Sequence, residues 1–174
     1  GSAPIAVVPG VSRLTDRGLV QAKGRLAVSA NGTLAYVQGV AAISADRRLL
    51  FTTRTGVARE LGWPPGHYES PRISPDGLRL AVSTSDDKEA VVYVYELSGA
   101  SALRPLTLTG RNRVPVWSPD SRRLAFQSQR TDTAGIFVQR ADGAGEAEQW
   151  TTAEPGTTHV PESWSIARSL GSAT

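Results

Sequence analysis

Hydrophobic and polar residues alternate in short runs along the 174-residue chain, and turn residues, among them 17 Gly and 11 Pro, separate the runs. The clearest run covers residues 90–97, where Val92 and Val94 fall on one side of an extended chain and Tyr93 and Tyr95 on the other. No apolar run approaches the roughly 18 residues that a membrane-spanning helix needs. The pattern predicts many short β-strands joined by turns, and no membrane span.

A sequence repeat organises these runs. Residues 74–77, Ser-Pro-Asp-Gly, recur 44 residues later as Ser-Pro-Asp-Ser, and an apolar strand follows each copy. A weaker copy at 28–32 lies 45 residues upstream, and residues 163–165 begin a further copy that breaks off. Because Pro presets φ at the first corner and Gly tolerates positive φ, the repeated residues predict a tight hairpin turn.

Each copy predicts four strands. They are residues 25–29, 33–38, 47–53 and 57–61 in the first unit, 70–74, 78–84, 90–97 and 105–109 in the second, and 114–118, 122–128, 135–140 and 148–151 in the third. One four-stranded unit cannot bury both of its faces, so units with this period must stack around an axis, as the blades of a β-propeller do.

We therefore predict an all-β fold, a β-propeller whose blades have four antiparallel strands. A single domain covers residues 1–174, with three complete blades at about 23–62, 68–109 and 112–152. Terminal strands within 3–20 and 158–166 would supply one partial blade, or would pair with another chain.

The repeat at 73–77 and 116–121 resembles that of TolB-like β-propeller proteins, and residues 23–164 are also similar to the propeller modules of some bacterial serine/threonine kinases. The resemblance implies a ring that binds partner proteins through loops at one mouth of its central channel. It also implies a bacterial, periplasmic or otherwise extracytoplasmic location. The sequence departs from TolB itself in holding fewer repeats and no preceding α/β domain.

Three complete repeats leave three ways to complete a ring. One chain could close as a small four-bladed ring whose termini share the last blade, several chains could associate, or the sequence could be part of a larger propeller. An open half-ring would leave two blade faces and several sheet edges exposed to water. That cost favours association into a homo-oligomer by blade packing or strand exchange.

The loops that lead into the innermost strands predict a binding surface, because loops on a rigid scaffold often carry recognition. The two histidines precede successive inner strands, and an Arg-Asn-Arg segment stands at the matching place between them. The candidate binding residues are His67, Tyr68, Glu69, Arg72, Arg111, Asn112, Arg113, His159 and Glu162. The alternative is that these are ordinary polar loop residues without a ligand.

Catalytic and metal chemistry find little support in the sequence. The absence of Cys excludes thiol nucleophiles, thiolate metal sites and disulfides. Two His and a Glu lack the local spacing of a metal motif, so we predict no metal and no cofactor. Ser85 and Lys88 have the spacing of a Ser-x-x-Lys nucleophile, but they lie in a predicted hairpin loop without the helix that the motif requires.

The net charge of +3 arises from 19 basic and 16 acidic residues, and the arginines are spread along the chain among acidic residues. This distribution predicts solvated strand faces and no nucleic-acid partner. We therefore predict a non-catalytic protein-interaction or ligand-binding module that self-associates to complete a ring. The alternative is a hydrolase or lyase propeller in which His67 and His159 serve a site at the channel mouth.

Overall fold

A computed structural model of the protein describes residues 26–28, 34–38, 47–52, 57–85, 89–99, 102–130 and 133–165. These residues form twelve strands and no helix, and so none of them forms a helix capable of crossing a membrane. The predicted N-terminal strand within 3–20 lies outside the described residues. The strands are β1 (Leu26–Val28), β2 (Leu34–Gln38), β3 (Arg48–Thr52), β4 (Ala58–Glu60), β5 (Tyr68–Ile73), β6 (Arg79–Ser85), β7 (Ala90–Glu96), β8 (Arg104–Pro105), β9 (Arg111–Trp117), β10 (Arg123–Gln129), β11 (Ala134–Arg140) and β12 (Glu148–Gln149).

The strands form three antiparallel units of four. The first unit is β1–β4, the second β5–β8 and the third β9–β12, and in each unit consecutive strands are hydrogen-bonded neighbours. A single parallel pair, Ala90 with Arg111, joins the second and third units into one eight-stranded sheet. This architecture confirms the predicted all-β fold of four-stranded units.

Apolar side chains fill the space between the units. The alternation predicted for β7 is confirmed, because Val92 and Val94 belong to the cluster between the second and third units and Tyr95 to the cluster between the first and second. The first cluster contains Ala81, Val92, Val94, Leu106, Trp117, Leu124, Phe126, Phe137 and Ala141. The second contains Ala35, Phe51, Leu80 and Tyr95. Both faces of the second unit are therefore buried.

The repeated Ser-Pro-Asp turn has the hairpin geometry that the sequence predicts. The Ser74 hydroxyl donates to the Asp76 carboxylate and accepts a hydrogen bond from the Arg79 N–H at 2.9 Å, closing the turn. Gly77 has a φ of 74° and Ser121, at the same place in the third unit, a φ of 60°. The turn thus needs the left-handed region at this position, which costs Gly less than Ser.

The two turns also bind one another across the gap between units. The Asp76 N–H donates to the Ser121 hydroxyl at 3.1 Å, and the Arg79 guanidinium donates to the Ser121 carbonyl. The same guanidinium lies 5.1 Å from the centre of the Trp117 ring, whose indole N–H donates to the Arg72 carbonyl at 2.9 Å. We call these contacts the inter-unit latch. It holds the third unit in register on the second.

The outer strands β8 and β12 end four and two residues earlier than predicted. The Thr107 hydroxyl accepts a hydrogen bond from the Val92 N–H at 3.0 Å, and the Thr151 hydroxyl accepts one from the Ile136 N–H at 3.0 Å. In both units a threonine side chain takes the place that a backbone carbonyl would have in the ladder. Such side-chain bonds compete with regular strand pairing.

Residues 158–165, within the predicted inner strand 158–166, form no β-ladder with a described strand and lie against the outward face of the third unit. An inner strand is stabilised by the next strand of its own unit, and the residues after Ser165 depart from the repeat that would form one. Side-chain packing, including the buried Pro161, holds the segment instead.

We expect Trp117→Phe to lower the free energy of unfolding by about 2–3 kcal/mol, because it leaves the Arg72 carbonyl without its indole donor and weakens the contact with Arg79. Urea unfolding followed by circular dichroism measures the change. Trp150→Phe is the control, since Trp150 is half exposed and forms no part of the latch. Equal losses for both variants would contradict the role of the latch.

Gly135→Ala is expected to destabilise the protein by about 2–3 kcal/mol, because a Cβ at this position in β11 would overlap the Thr151 carbonyl. Gly66→Ala makes a matched control, since its Cβ would meet the Tyr68 ring at an ordinary 3.4 Å. Thermal unfolding of the two variants tests the difference. If Gly135→Ala proved as stable as Gly66→Ala, the outer chain would not run as closely over β11 as described.

Candidate functional site

The starts of the inner strands β5 and β9 meet at one mouth of the stacked units. The Ser85 N–H, at the end of β6, donates to the His67 carbonyl at 3.1 Å. The Arg113 guanidinium reaches across from the third unit and donates to the Ser85 hydroxyl at 2.6 Å. We call the surface formed by His67, Ser85, Arg111 and Arg113 the channel rim. It brings together three of the residues that the sequence predicts, and adds Ser85.

Two predicted binding residues, Tyr68 and Asn112, are buried in the wall beneath the rim. The Tyr68 hydroxyl donates to the Pro64 carbonyl at 2.8 Å, and burial, followed by the nearby Tyr93, raises the pKa of Tyr68. Asn112 is only 1% exposed. Their side chains therefore shape the rim from below and do not contribute to its surface.

Asn112 fixes the loop that leads into β9. Its side-chain amide donates to the Thr109 carbonyl at 2.9 Å and to the Gly110 carbonyl at 3.0 Å. A third, longer contact of 3.5 Å reaches the Ala90 carbonyl in the second unit. One buried amide thus holds the connection between two units, and Arg111 directly precedes it in the chain.

Glu69 and Arg72 lie within β5. The Glu69 carbonyl accepts a hydrogen bond from the Ser83 hydroxyl at 3.0 Å, and the Glu69 side chain is half buried. The Arg72 guanidinium donates to the Pro71 carbonyl at 3.0 Å, and burial lowers the pKa of Arg72. Arg72 is a component of the inter-unit latch through its backbone.

His159 and Glu162 lie beside the third unit. A ring nitrogen of His159 is 2.9 Å from the Thr151 hydroxyl, at the outer edge of the third unit, and the exposed Glu162 lies beside the same unit. The two histidines match in sequence position; His67 accepts from the Ser85 N–H through its backbone carbonyl, and His159 contacts the Thr151 hydroxyl through its ring. A place for His159 and Glu162 on the rim stays a prediction.

The outward face of the third unit carries an apolar groove of about 390 Å³. Trp150 and Trp164 stack edge to face on it, with ring centres 5.1 Å apart, and Trp150 is 50% exposed. We call it the open-face groove. Its lining residues are Ala125, Ile136, Trp150, Val160, Pro161, Glu162, Ser163, Trp164 and Ser165.

The described residues give little support for catalysis or metal binding. Ser85 lies at the end of a strand, and its hydroxyl accepts from a guanidinium, which cannot remove its proton. Lys88, the other half of the Ser-x-x-Lys spacing, lies outside the described residues. Within the described part of the chain, no three His, Asp or Glu side chains gather as a metal site would require.

Comparison with known proteins agrees with the repeat and the fold. The TolB beta propeller domain family matches residues 27–168, most of the chain. The chain belongs to this family. It is 40% identical over 79 residues to the Tol-Pal system protein TolB of Anaeromyxobacter dehalogenans. The aligned residues cover 44% of this chain and 17% of that protein.

A second relative is named as a peptidase. Identity to the uncharacterized peptidase YuxL of Bacillus subtilis is 33% over 88 residues, covering 47% of this chain and 13% of that protein. The TolB-family chain thus spans less than a fifth of the length of either relative.

Solved structures show the same fold. The crystal structure of TolB from Acinetobacter baumannii matches 78% of this chain and 34% of its own length, with a TM-score of 0.61 and 16% identity. An acylaminoacyl peptidase of Pyrococcus horikoshii matches 71% of this chain and 24% of its own length, with a TM-score of 0.55 and 18% identity. At these identities the likeness concerns the fold alone.

We expect Asn112→Ala to destabilise the protein by about 1–3 kcal/mol, because the Thr109 and Gly110 carbonyls lose their buried donor. Amide hydrogen exchange should also become faster at Gly110 and Arg111. Gln129→Ala is the control, since Gln129 pairs with Arg111 through the backbone and its side chain is exposed. Unchanged exchange in Asn112→Ala would show that this side chain does not fix the rim.

Proposed function

We propose that this chain is a non-catalytic protein-interaction module that completes a propeller ring by self-association. The observation that supports it is a repeated set of positions. The apolar positions on the face of the second unit that contacts the third unit recur 44 residues later, on the outward face of the third unit. They are Ala81, Val92, Val94 and Leu106 in the second unit and Ala125, Ile136, Val138 and Trp150 in the third.

The two faces differ in how completely they are covered, since Ala125 and Val138 on the third unit are buried too. Leu106 is 3% exposed beneath the third unit, whereas Trp150 at the same position of the next unit is 50% exposed. Burying apolar surface is worth about 25 cal/mol per Å², so a blade placed on this face would be stabilised as the third unit is on the second. Two copies of three units make six blades, within the roughly four to eight that closed propellers contain.

In the assembled ring the channel rim is the surface offered to a partner protein. His67, Arg111 and Arg113 lie at this rim, where Arg113 donates to the Ser85 hydroxyl, and the buried Tyr68 and Asn112 keep their loops in place. A partner with acidic side chains fits the two arginines best. A bacterial, extracytoplasmic location, which the resemblance to TolB implies, is part of the same proposal.

A hydrolase is the second candidate, because one relative and several structural neighbours are named peptidases. In this version the propeller would carry its own site at the channel mouth, using His67 and His159. The Ser85 hydroxyl at the rim is bonded to the Arg113 guanidinium, which cannot act as its base, and this weighs against it. Hydrolysis of peptide or ester substrates that disappears in a His67→Ala, His159→Ala double variant would favour this second function over the first.

The ring-completion proposal predicts a discrete oligomer in solution. Light scattering behind a size-exclusion column should give twice the 18.4 kDa mass of the chain for a two-copy ring. Replacing Trp150 with Asp should shift the species toward the monomer while leaving the circular dichroism spectrum unchanged. A folded monomer at all concentrations tested would exclude self-association and favour a self-closed ring or further blades in the same polypeptide.

A further inference from the structure

A cluster of arginines lines an open cavity of about 380 Å³ at the opposite end of β9 from the channel rim. The cavity lies between the start of β6, the β9–β10 turn and the end of β11, and we call it the arginine cavity. Its volume is at the low end of the roughly 300–1,000 Å³ of small-molecule sites. The lining residues, which carry an excess of two positive charges, are Arg79, Asp120, Arg122, Arg123, Arg140 and Asp142.

Both carboxylates of the arginine cavity are engaged by groups of their own turns. Asp142 accepts two hydrogen bonds from the Arg140 guanidinium. Asp120 accepts one from the Ser118 hydroxyl at 2.6 Å and one from the Arg122 backbone N–H at 3.0 Å. These hydrogen bonds lower the pKa of both carboxyl groups. The two acidic residues therefore stay ionised and are stabilised without help from the remaining guanidinium groups.

Two guanidinium groups of the arginine cavity remain available to a ligand. Arg122 and Arg123 are exposed, and neither guanidinium donates a hydrogen bond to another described residue. Asp120 attracts both positive charges without accepting a hydrogen bond from either guanidinium. An oxyanion that entered the cavity would thus find two sets of unused donors.

The backbone beneath these two arginines is fixed by hydrogen bonds. The Arg123 N–H donates to the Ser118 hydroxyl at 2.9 Å, and the Arg123 carbonyl accepts from the Ser118 N–H at 2.9 Å. The Arg122 carbonyl accepts from the Ala141 N–H at 2.9 Å. Arg79, on the other side of the cavity, is already held in the inter-unit latch. Binding an anion would therefore order side chains alone, which lowers its entropic cost.

We propose that the arginine cavity binds a phosphate group, with Arg122 and Arg123 as its ligands. The planar fork of a guanidinium matches the oxygens of a phosphate. A phosphate monoester carries about two negative charges near neutral pH, which equals the excess of positive charge in the cavity. The cavity is the size of a site for one such group, whereas a nucleic acid needs basic side chains along several phosphates.

The phosphate could belong to a soluble ester or to a lipid headgroup, since both present the same oxygens. The arginine cavity is a different surface from the channel rim and from the open-face groove. Failure of this proposal would therefore leave the proposed self-association untouched.

The first test titrates the isotope-labelled chain with methyl phosphate at constant ionic strength and follows the amide signals of residues 122 and 123 by NMR. The double variant Arg122→Gln, Arg123→Gln should bind methyl phosphate at least about tenfold more weakly. The matched control is Arg48→Gln, Arg59→Gln, which removes the same charge from exposed arginines of the first unit and should change binding by less than about twofold. Equal weakening in both double variants would show that only net charge matters and would overturn the site.

Acetate provides a second readout, because it carries one negative charge and fewer oxygens. At the same ionic strength it should bind at least about tenfold more weakly than methyl phosphate, since it engages one guanidinium instead of two. Equal affinity for the two anions would contradict the assignment of the cavity to phosphate.

Vesicles distinguish the two sources of the phosphate. Co-sedimentation with vesicles of phosphatidylcholine and phosphatidic acid, lost in the Arg122→Gln, Arg123→Gln variant and kept in the control, would identify a lipid headgroup. Binding of methyl phosphate without co-sedimentation would identify a soluble ester. If the chain bound neither, the proposal would be overturned.

Discussion

Each four-stranded unit of this protein has two apolar faces, and the need to cover both by stacking is the constraint on which the rest of the structure depends. A sheet of four short strands buries too little surface to be stable alone. The second unit satisfies the constraint, since Leu80 and Tyr95 pack toward the first unit and Val92 and Val94 toward the third. Stacking is non-directional hydrophobic burial, however, and does not by itself fix how one unit sits on the next.

Directional contacts at the repeated turns supply that register. Ser74 and Asp76 close the turn with local hydrogen bonds, and the same turn then presents Arg79 to the neighbouring unit. The residue types serve two purposes at once, one within a unit and one between units. A Ser-Pro-Asp turn repeated every 44 residues is therefore both a hairpin signal and part of a docking surface.

The same division between scaffold and surface applies to the channel rim. Tyr68 and Asn112 have the residue types of binding residues, yet both donate hydrogen bonds to backbone carbonyls inside the wall. Their burial gives the rim a fixed shape, on which His67 and Arg113 are held by contacts through Ser85. A partner of this TolB-family protein would meet a preorganised surface, which lowers the entropic cost of binding.

The sequence by itself determined the repeat, the strands of each unit, the hairpin turns and the alternation of β7, because these follow from local backbone preferences and a two-residue period. It could not determine where β8 and β12 end, since Thr107 and Thr151 replace ladder bonds through side chains that also suit a strand. Nor could it separate the wall residue Asn112 from the rim residue Arg113, one position apart. Only the packing of one unit on another decided those points, because burial and hydrogen-bond partners are set by residues distant in the chain.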